Sequence, residues 1–256
     1  MKSIIRAIFL FPLAALLGLP ARADGTSVVA SSTVVSQYMF RGARLGGPSF
    51  QPSVEVDSGN FAFGVWASTP IADKVPGQSD PEIDPYVTYT YKVNDSFNIA
   101  PGFTWYYYPG ADMNKGFFKS TYEPNIALNY TLKPGVRLTP KIYYDVVLKA
   151  VTYELTATYA TPLKDLGTEL DWTATGGTFM TKDYYREADP REKNWGDYYL
   201  VGVSAPFTIN KHSKLTVGFA YTKGTANFIK LGSSPKIANS AAAGRAVISL
   251  GYSYTF

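Results

Sequence analysis

Along most of this chain large apolar or aromatic residues alternate with small or polar ones, in segments divided by clusters of Gly, Pro, Asn, Asp and Ser. A period of two is the signature of a β-strand whose two faces meet different surroundings. Residues 60–69 set Phe61, Phe63, Val65 and Ala67 against Asn60, Gly64 and Ser68. Residues 83–92 set Ile83, Val87, Tyr89 and Tyr91 against Asp84, Thr88, Thr90 and Lys92. The same alternation runs through 96–108, 122–132, 136–145 and 151–160, and in weaker form through 28–40, 49–57, 168–178, 198–207, 214–222 and 245–256. The pattern therefore predicts twelve strands.

Segments of about ten residues are the length a tilted strand needs to cross a bilayer. The last strand is greasy on one face, with Ile248, Leu250, Tyr252, Tyr254 and Phe256, and holds Arg245, Ser249, Gly251, Ser253 and Thr255 on the other. On a soluble sheet such an edge invites aggregation, whereas it suits a barrel with lipid outside and water inside. Past the N-terminus no apolar stretch approaches the roughly 20 residues of a spanning helix, and only closure satisfies every backbone hydrogen bond of a sheet in lipid. The predicted fold is all-β: an antiparallel transmembrane β-barrel of about twelve strands, residues 24–256, with both termini in the periplasm. Residues 1–23 read as a cleaved secretory signal peptide, since Lys2 and Arg6 precede the apolar run Ala7 to Leu19 and the small-residue pattern Ala21-Arg22-Ala23.

The connections sort by length as outer-membrane barrels require. Short periplasmic turns are predicted at 58–59, 93–96, 133–135, 162–167 and 208–213. External loops are predicted at Arg41 to Pro48, 70–82, 109–121, 146–150, 181–197 and 223–244. The short loop at 146–150 leaves ten strands plus a plug as the rival topology. The chain carries 20 Tyr, 15 Phe and 4 Trp. Clusters at Tyr106 to Tyr108, Tyr143-Tyr144, Tyr184-Tyr185 and Tyr198-Tyr199 suggest a girdle at the headgroup level.

Charge and chemistry narrow the function. Without the leader the net charge falls from +4 to +1, which is no footprint for nucleic acid. There is no cysteine, and the one histidine, His212, falls in a predicted periplasmic turn, so neither a zinc site nor a nucleophilic triad is expected. Gly42 to Gly47 reads as a flexible turn rather than a phosphate loop. Asp73, Asp80, Glu82 and Asp84 offer hard oxygen ligands for a cation, without the spacing of an EF-hand. No catalytic residue, metal or cofactor is expected. The polar register of the strands instead supplies a pore lining: Gln51, Glu55, Glu123, Asn125, Asn129, Arg137, Lys141, Glu154 and Asp171. Charged groups avoid the lipid face, where they are costly.

Val35-Ser36-Gln37-Tyr38-Met39-Phe40-Arg41-Gly42, followed by Gly64-Val65-Trp66-Ala67-Ser68, Glu82-Ile83-Asp84-Pro85-Tyr86 and Trp105-Tyr106-Tyr107-Tyr108-Pro109-Gly110, resembles the TorF-like porin family of proteobacterial outer-membrane β-barrel proteins over roughly residues 28–130. The resemblance implies a channel-type barrel in the bacterial outer membrane, with no catalytic residues to carry over. A barrel of twelve strands ~4.8 Å apart and tilted ~40° has a backbone cylinder roughly 24 Å across, enough for small hydrophilic solutes or ions. Tyr86, Tyr106 or Tyr143, or an inward fold of loop 223–244, would narrow it. The expected partners are outer-membrane lipid and lipopolysaccharide, the barrel-assembly machinery through the C-terminal strand, and the solutes. The alternative is a non-conducting structural, receptor or adhesin barrel that presents its loops.

Overall fold

The computed structural model of the protein describes residues 25–74, 80–115, 118–133, 135–182, 193–225 and 243–256. The strands are β1 (Thr26–Val35), β2 (Tyr38–Phe40), β3 (Ala43–Gly46), β4 (Ser49–Ser58), β5 (Phe61–Pro70), β6 (Glu82–Tyr89), β7 (Tyr91–Asn94), β8 (Phe97–Tyr107), β9 (Ser120–Lys133), β10 (Val136–Asp145), β11 (Ala150–Leu163), β12 (Thr168–Lys182), β13 (Lys193–Asn210), β14 (Ser213–Gly224) and β15 (Arg245–Thr255). Every neighbouring pair in the wall is antiparallel, in the order β6-β5-β4-β1-β15-β14-β13-β12-β11-β10-β9-β8, and β8 pairs back onto β6 to close the ring. β7 continues β6 along the same partner β8 after a break at Thr90. Among the described residues the wall is thus a closed antiparallel barrel of twelve strands, and β2 and β3 stand apart as a separate hairpin.

All twelve predicted strands are present. The wall closes between the first and last strands, with Val29↔Thr255 through Val35↔Ser249 in register and the Phe256 amide donating to the Val28 carbonyl at 3.0 Å. The rival ten-strand topology fails at 146–150. There Asp145 Oδ1 accepts the Val147 and Leu148 amides at 2.9 and 2.8 Å and Lys149 adopts φ 50°, so β10 turns tightly into β11 and the two pair along their whole length.

The alternation sorts the side chains as a lipid-facing wall demands. Phe63, Leu155, Phe219, Ile248 and Leu250 are all exposed, Ile248 by 61%, which a water-soluble sheet would not tolerate over its whole circumference. Glu55, Glu123, Lys141, Glu154 and Asp171 alternate with these residues and share the inner face. The predicted girdle divides for the same reason, because adjacent residues of a strand point to opposite faces. Tyr144 and Tyr199 are on the outside, while Tyr106, Tyr108, Tyr143 and Tyr198 bond carboxylates within. Outside, Trp105 packs on Tyr107 and Tyr122 at 5.5 and 6.2 Å. Tyr184-Tyr185, the signal segment 1–23 and most of the 223–244 loop lie outside the described residues.

Candidate lumen constriction

The first strand ends five residues earlier than the alternation predicts, and the segment expected as an external loop folds inward. At Ser36 the backbone exchanges a last pair of bonds with Ile248, the Ser36 amide donating to its carbonyl at 2.9 Å and the Ile248 amide to Ser36 Oγ at 2.9 Å. The chain then leaves the wall. Tyr38↔Gly46, Met39↔Arg44 and Phe40↔Ala43 form a hairpin whose two-residue tip, Arg41-Gly42, has φ of 46° and 77°. Positive φ at both central residues is the tight-hairpin geometry that matches strand twist. The flexible-turn reading of Gly42 to Gly47 is therefore corrected: Ala43 is 1% exposed and Leu45 is buried with it.

The tip spans the lumen. Arg41 grips Glu123 of β9 with both terminal nitrogens, Nη1 to Oε2 and Nη2 to Oε1, each at 2.9 Å. Tyr106 Oη adds a third bond to Glu123 Oε1 at 3.0 Å. The guanidinium also lies 4.6 Å from the ring centre of Tyr143 and 4.7 Å from that of Phe40. On the far side Gly42 meets Gly224 at the end of β14, so closely that a Cβ at Gly42 would fall 2.6 Å from the Gly224 Cα. Two glycines are needed because two backbones touch there. Nearer the wall, Tyr38 Oη donates to Glu82 Oε2 at 2.8 Å, Tyr108 Oη donates to Glu82 Oε1 at 2.9 Å, and Arg44 reaches Asp73 and Gln37.

Burial opposes the charge on Arg41, but Glu123 more than offsets this and leaves its pKa raised. Burial, followed by the negative charge of Glu82, likewise pushes Tyr38 far up, so its hydroxyl stays a donor. At the rim burial raises Asp80, partly countered by Lys74.

Two wall rows explain how the glutamates are held. Glu154, Gly177 and Tyr198 stand opposite one another on β11, β12 and β13, and Tyr198 lies across the bare glycine to donate to Glu154 Oε2 at 2.6 Å. Glu55, Gly64 and Tyr86 repeat the device on β4, β5 and β6, again at 2.6 Å. A Cβ at Gly177 would meet Tyr198 Cζ at 2.4 Å. Gly177→Val is expected to swing Tyr198 off Glu154 and to cost about 1–3 kcal/mol by overpacking, read as a lower unfolding midpoint in detergent micelles.

The structure brings Glu123, Lys141 and Glu154 together around the hairpin tip: Lys141 is opposite Glu154 in register and its Nζ is 4.6 Å from the Tyr143 ring centre. It does not gather the others. Gln51 bonds Ser68 Oγ on the neighbouring strand at 3.4 Å, Asn125 reaches the Glu123 carbonyl at 3.4 Å, and Asn129 bridges Asn98 and Thr139 at 2.8 and 3.0 Å. Arg137, opposite Thr158, and Asp171, opposite Ser204, stand near the short-turn end. The acids proposed for a cation disperse, Asp73 to Arg44, Asp80 to Lys74 at 3.6 Å and Glu82 to two tyrosines, and no group of three or more potential ligands forms among the described residues. His212 lies in the turn between β13 and β14, where its Nδ1 is 2.8 Å from the Thr255 carbonyl and its ring stacks on Tyr254 at 5.6 Å. Sequence reasoning missed Arg41, although an X-Gly pair between Tyr38-Met39-Phe40 and Ala43-Arg44-Leu45 is a hairpin signal.

Among the described residues the protein is thus a closed antiparallel barrel with an apolar exterior, a charged interior and an inward hairpin. Residues 21–229 match Gcw_chp, a bacterial protein family of unknown function, and the chain belongs to that family. No curated protein matches it. Its structure is similar to that of the NanC porin, with 11% identity over 88% of this chain and 98% of that one and a TM-score of 0.56. It is also similar to the KdgM porin in complex with disordered oligogalacturonate, with 13% identity over 90% of this chain and 99% of that one and a TM-score of 0.52.

Proposed function

We propose that the protein is an outer-membrane porin of TorF-like type that lets small hydrophilic solutes or ions pass down their gradients through the lumen. The observation that carries this reading is the closed wall with opposite characters on its two faces, narrowed by a hairpin clamped at Arg41 and Glu123. A barrel serving only to present loops would need neither a charged interior nor a docked internal ribbon. Both termini and the short turns face the periplasm in this reading, and the long connections face outward. A signal peptide, residues 1–23, directs export. The C-terminal strand engages the assembly machinery, and the outer rim meets lipopolysaccharide. Passage is diffusive and involves no covalent step.

The lumen face also suggests a preference. Around the hairpin stand Asp73, Glu82, Glu123, Asp145 and Glu154, against Arg41, Arg44 and Lys141. Tyrosine hydroxyls satisfy Glu82 and Glu154 without cancelling their charge. Permeation is set by the residues lining the narrowest stretch, so cations are favoured over anions. In planar bilayers under a potassium chloride gradient, the refolded protein is expected to give stable single-channel steps with a cation-selective reversal potential. A silent protein would favour the loop-presenting scaffold. Replacing Arg137 and Lys141 together with Glu is expected to move the reversal potential further towards cations, and an unchanged value removes both from the pore lining.

A further inference from the structure

On the wall opposite the hairpin, a carboxylate and an aromatic face together hold the chain's own arginine. Glu123 of β9 offers both carboxylate oxygens, Tyr106 of β8 holds one of them, and Tyr143 of β10 supplies an aromatic face 4.6 Å from the bound guanidinium. None of these three belongs to the hairpin. Each has a fixing contact on the wall: Tyr106 donates to Glu123, and Tyr143 donates to Glu154 at 3.0 Å. If the hairpin withdrew, the carboxylate and the ring would remain in place. A bidentate carboxylate beside an aromatic face suits guanidinium better than ammonium, because the planar fork makes two parallel bonds and stacks.

We propose that Glu123, Tyr106 and Tyr143 form a guanidinium-binding site in the lumen, that Arg41 occupies it as a tethered ligand, and that solutes bearing a guanidinium group displace Arg41 and swing the hairpin aside. The proposal rests on the channel reading only in that solutes reach the lumen. A tether of this kind presents its ligand at an effective concentration in the millimolar range, so an external guanidinium must reach comparable levels to compete. The device would keep the pore narrow until its preferred solute is abundant.

The test is calorimetric titration of the full barrel, refolded in detergent, with methylguanidinium chloride, comparing wild type, R41A and R41A/E123Q. R41A, with the site vacated, is expected to bind at least about tenfold more tightly than wild type, given a millimolar internal competitor. The double variant should lose that gain, and methylammonium should bind R41A more weakly than methylguanidinium. Equal binding by wild type and R41A, or undiminished binding by the double variant, overturns the site. Heat-modifiable migration on gels verifies folding; should R41A not refold, Arg41→Met keeps the apolar stem without the guanidinium and takes its place. Bilayer recordings on the same samples separate the two readings. Binding with no conductance removes the channel and leaves the site, whereas conductance without binding removes the site alone.

Discussion

Arg41→Ala is expected to raise single-channel conductance by about twofold or more, because a two-stranded ribbon with side chains spanning ~10 Å covers roughly half the lumen left inside a ~24 Å backbone cylinder. The clamp it removes is bidentate and nearly dry, with the Arg41 side chain 11% and the Glu123 side chain 3% exposed. Removing one partner of such a pair leaves the other as an uncompensated buried charge and costs about 3–5 kcal/mol, here charged against hairpin docking rather than against the wall. Glu123→Ala should therefore open the pore as well. The double variant should conduct no more than either single one, since both break the same contact. Additive increases would mean that the two side chains narrow the pore independently, and no increase in either would mean that the hairpin is held mainly elsewhere, at Tyr38 and Glu82 or at the Gly42–Gly224 approach. Barrel stability in micelles should change little, since the ladder bonds of the wall are untouched.

The second large effect concerns the seam. Leu250 lies midway along β15 on the outer face, between Val34 and Val217, and is 51% exposed. Leu250→Arg is expected to cost about 2–4 kcal/mol, the depth-dependent cost of a cation facing hydrocarbon near the bilayer midplane. Thr33→Arg, on the lumen face of the same seam, should stay within about 1 kcal/mol because its charge remains in water. Chemical unfolding in lipid vesicles followed by tryptophan fluorescence distinguishes them. Equal losses would contradict the assignment of faces. Deleting Phe256 removes the last wall bond to Val28 and the ring that packs on Tyr254 at 4.9 Å. The yield of folded, heat-modifiable barrel should fall, while the conductance of barrels that do form stays at the wild-type level.

These two predictions draw on different kinds of information. The outward face of β15 is legible in the chain because alternation is a local property: a residue's face depends only on its neighbours one and two positions away. For the same reason Glu55, Glu123, Asn125, Asn129, Arg137, Lys141, Glu154 and Asp171 could all be assigned to the polar register. Their grouping could not, because it depends on the stagger between strands. Lys141 stands opposite Glu154 on neighbouring strands, whereas Gln51 bonds Ser68 and Asp171 stands opposite Ser204.

The hairpin shows where local reading stops. Residues 28–40 alternate only weakly, and the expected strand runs through to Phe40, whereas the wall strand ends at Val35. What ends it is a partner 82 residues away, Glu123, whose carboxylate takes both nitrogens of Arg41. The aromatic clusters are a milder case, in which composition pointed to a membrane girdle while strand geometry sent every second ring to a lumen carboxylate.

By itself the sequence determined the two faces of each strand, the order of short and long connections and the need for a closed wall, and it narrowed the strand count to twelve or ten. Each of these follows from period, length and turn chemistry over a few residues. The tertiary structure alone decided that the first long connection folds into the barrel, that a chain arginine fills a carboxylate-and-tyrosine cradle, and that tyrosines cross bare glycines to hold glutamates one strand further on. Those features depend on contacts across the lumen and between staggered strands, and the barrel must close before such contacts exist.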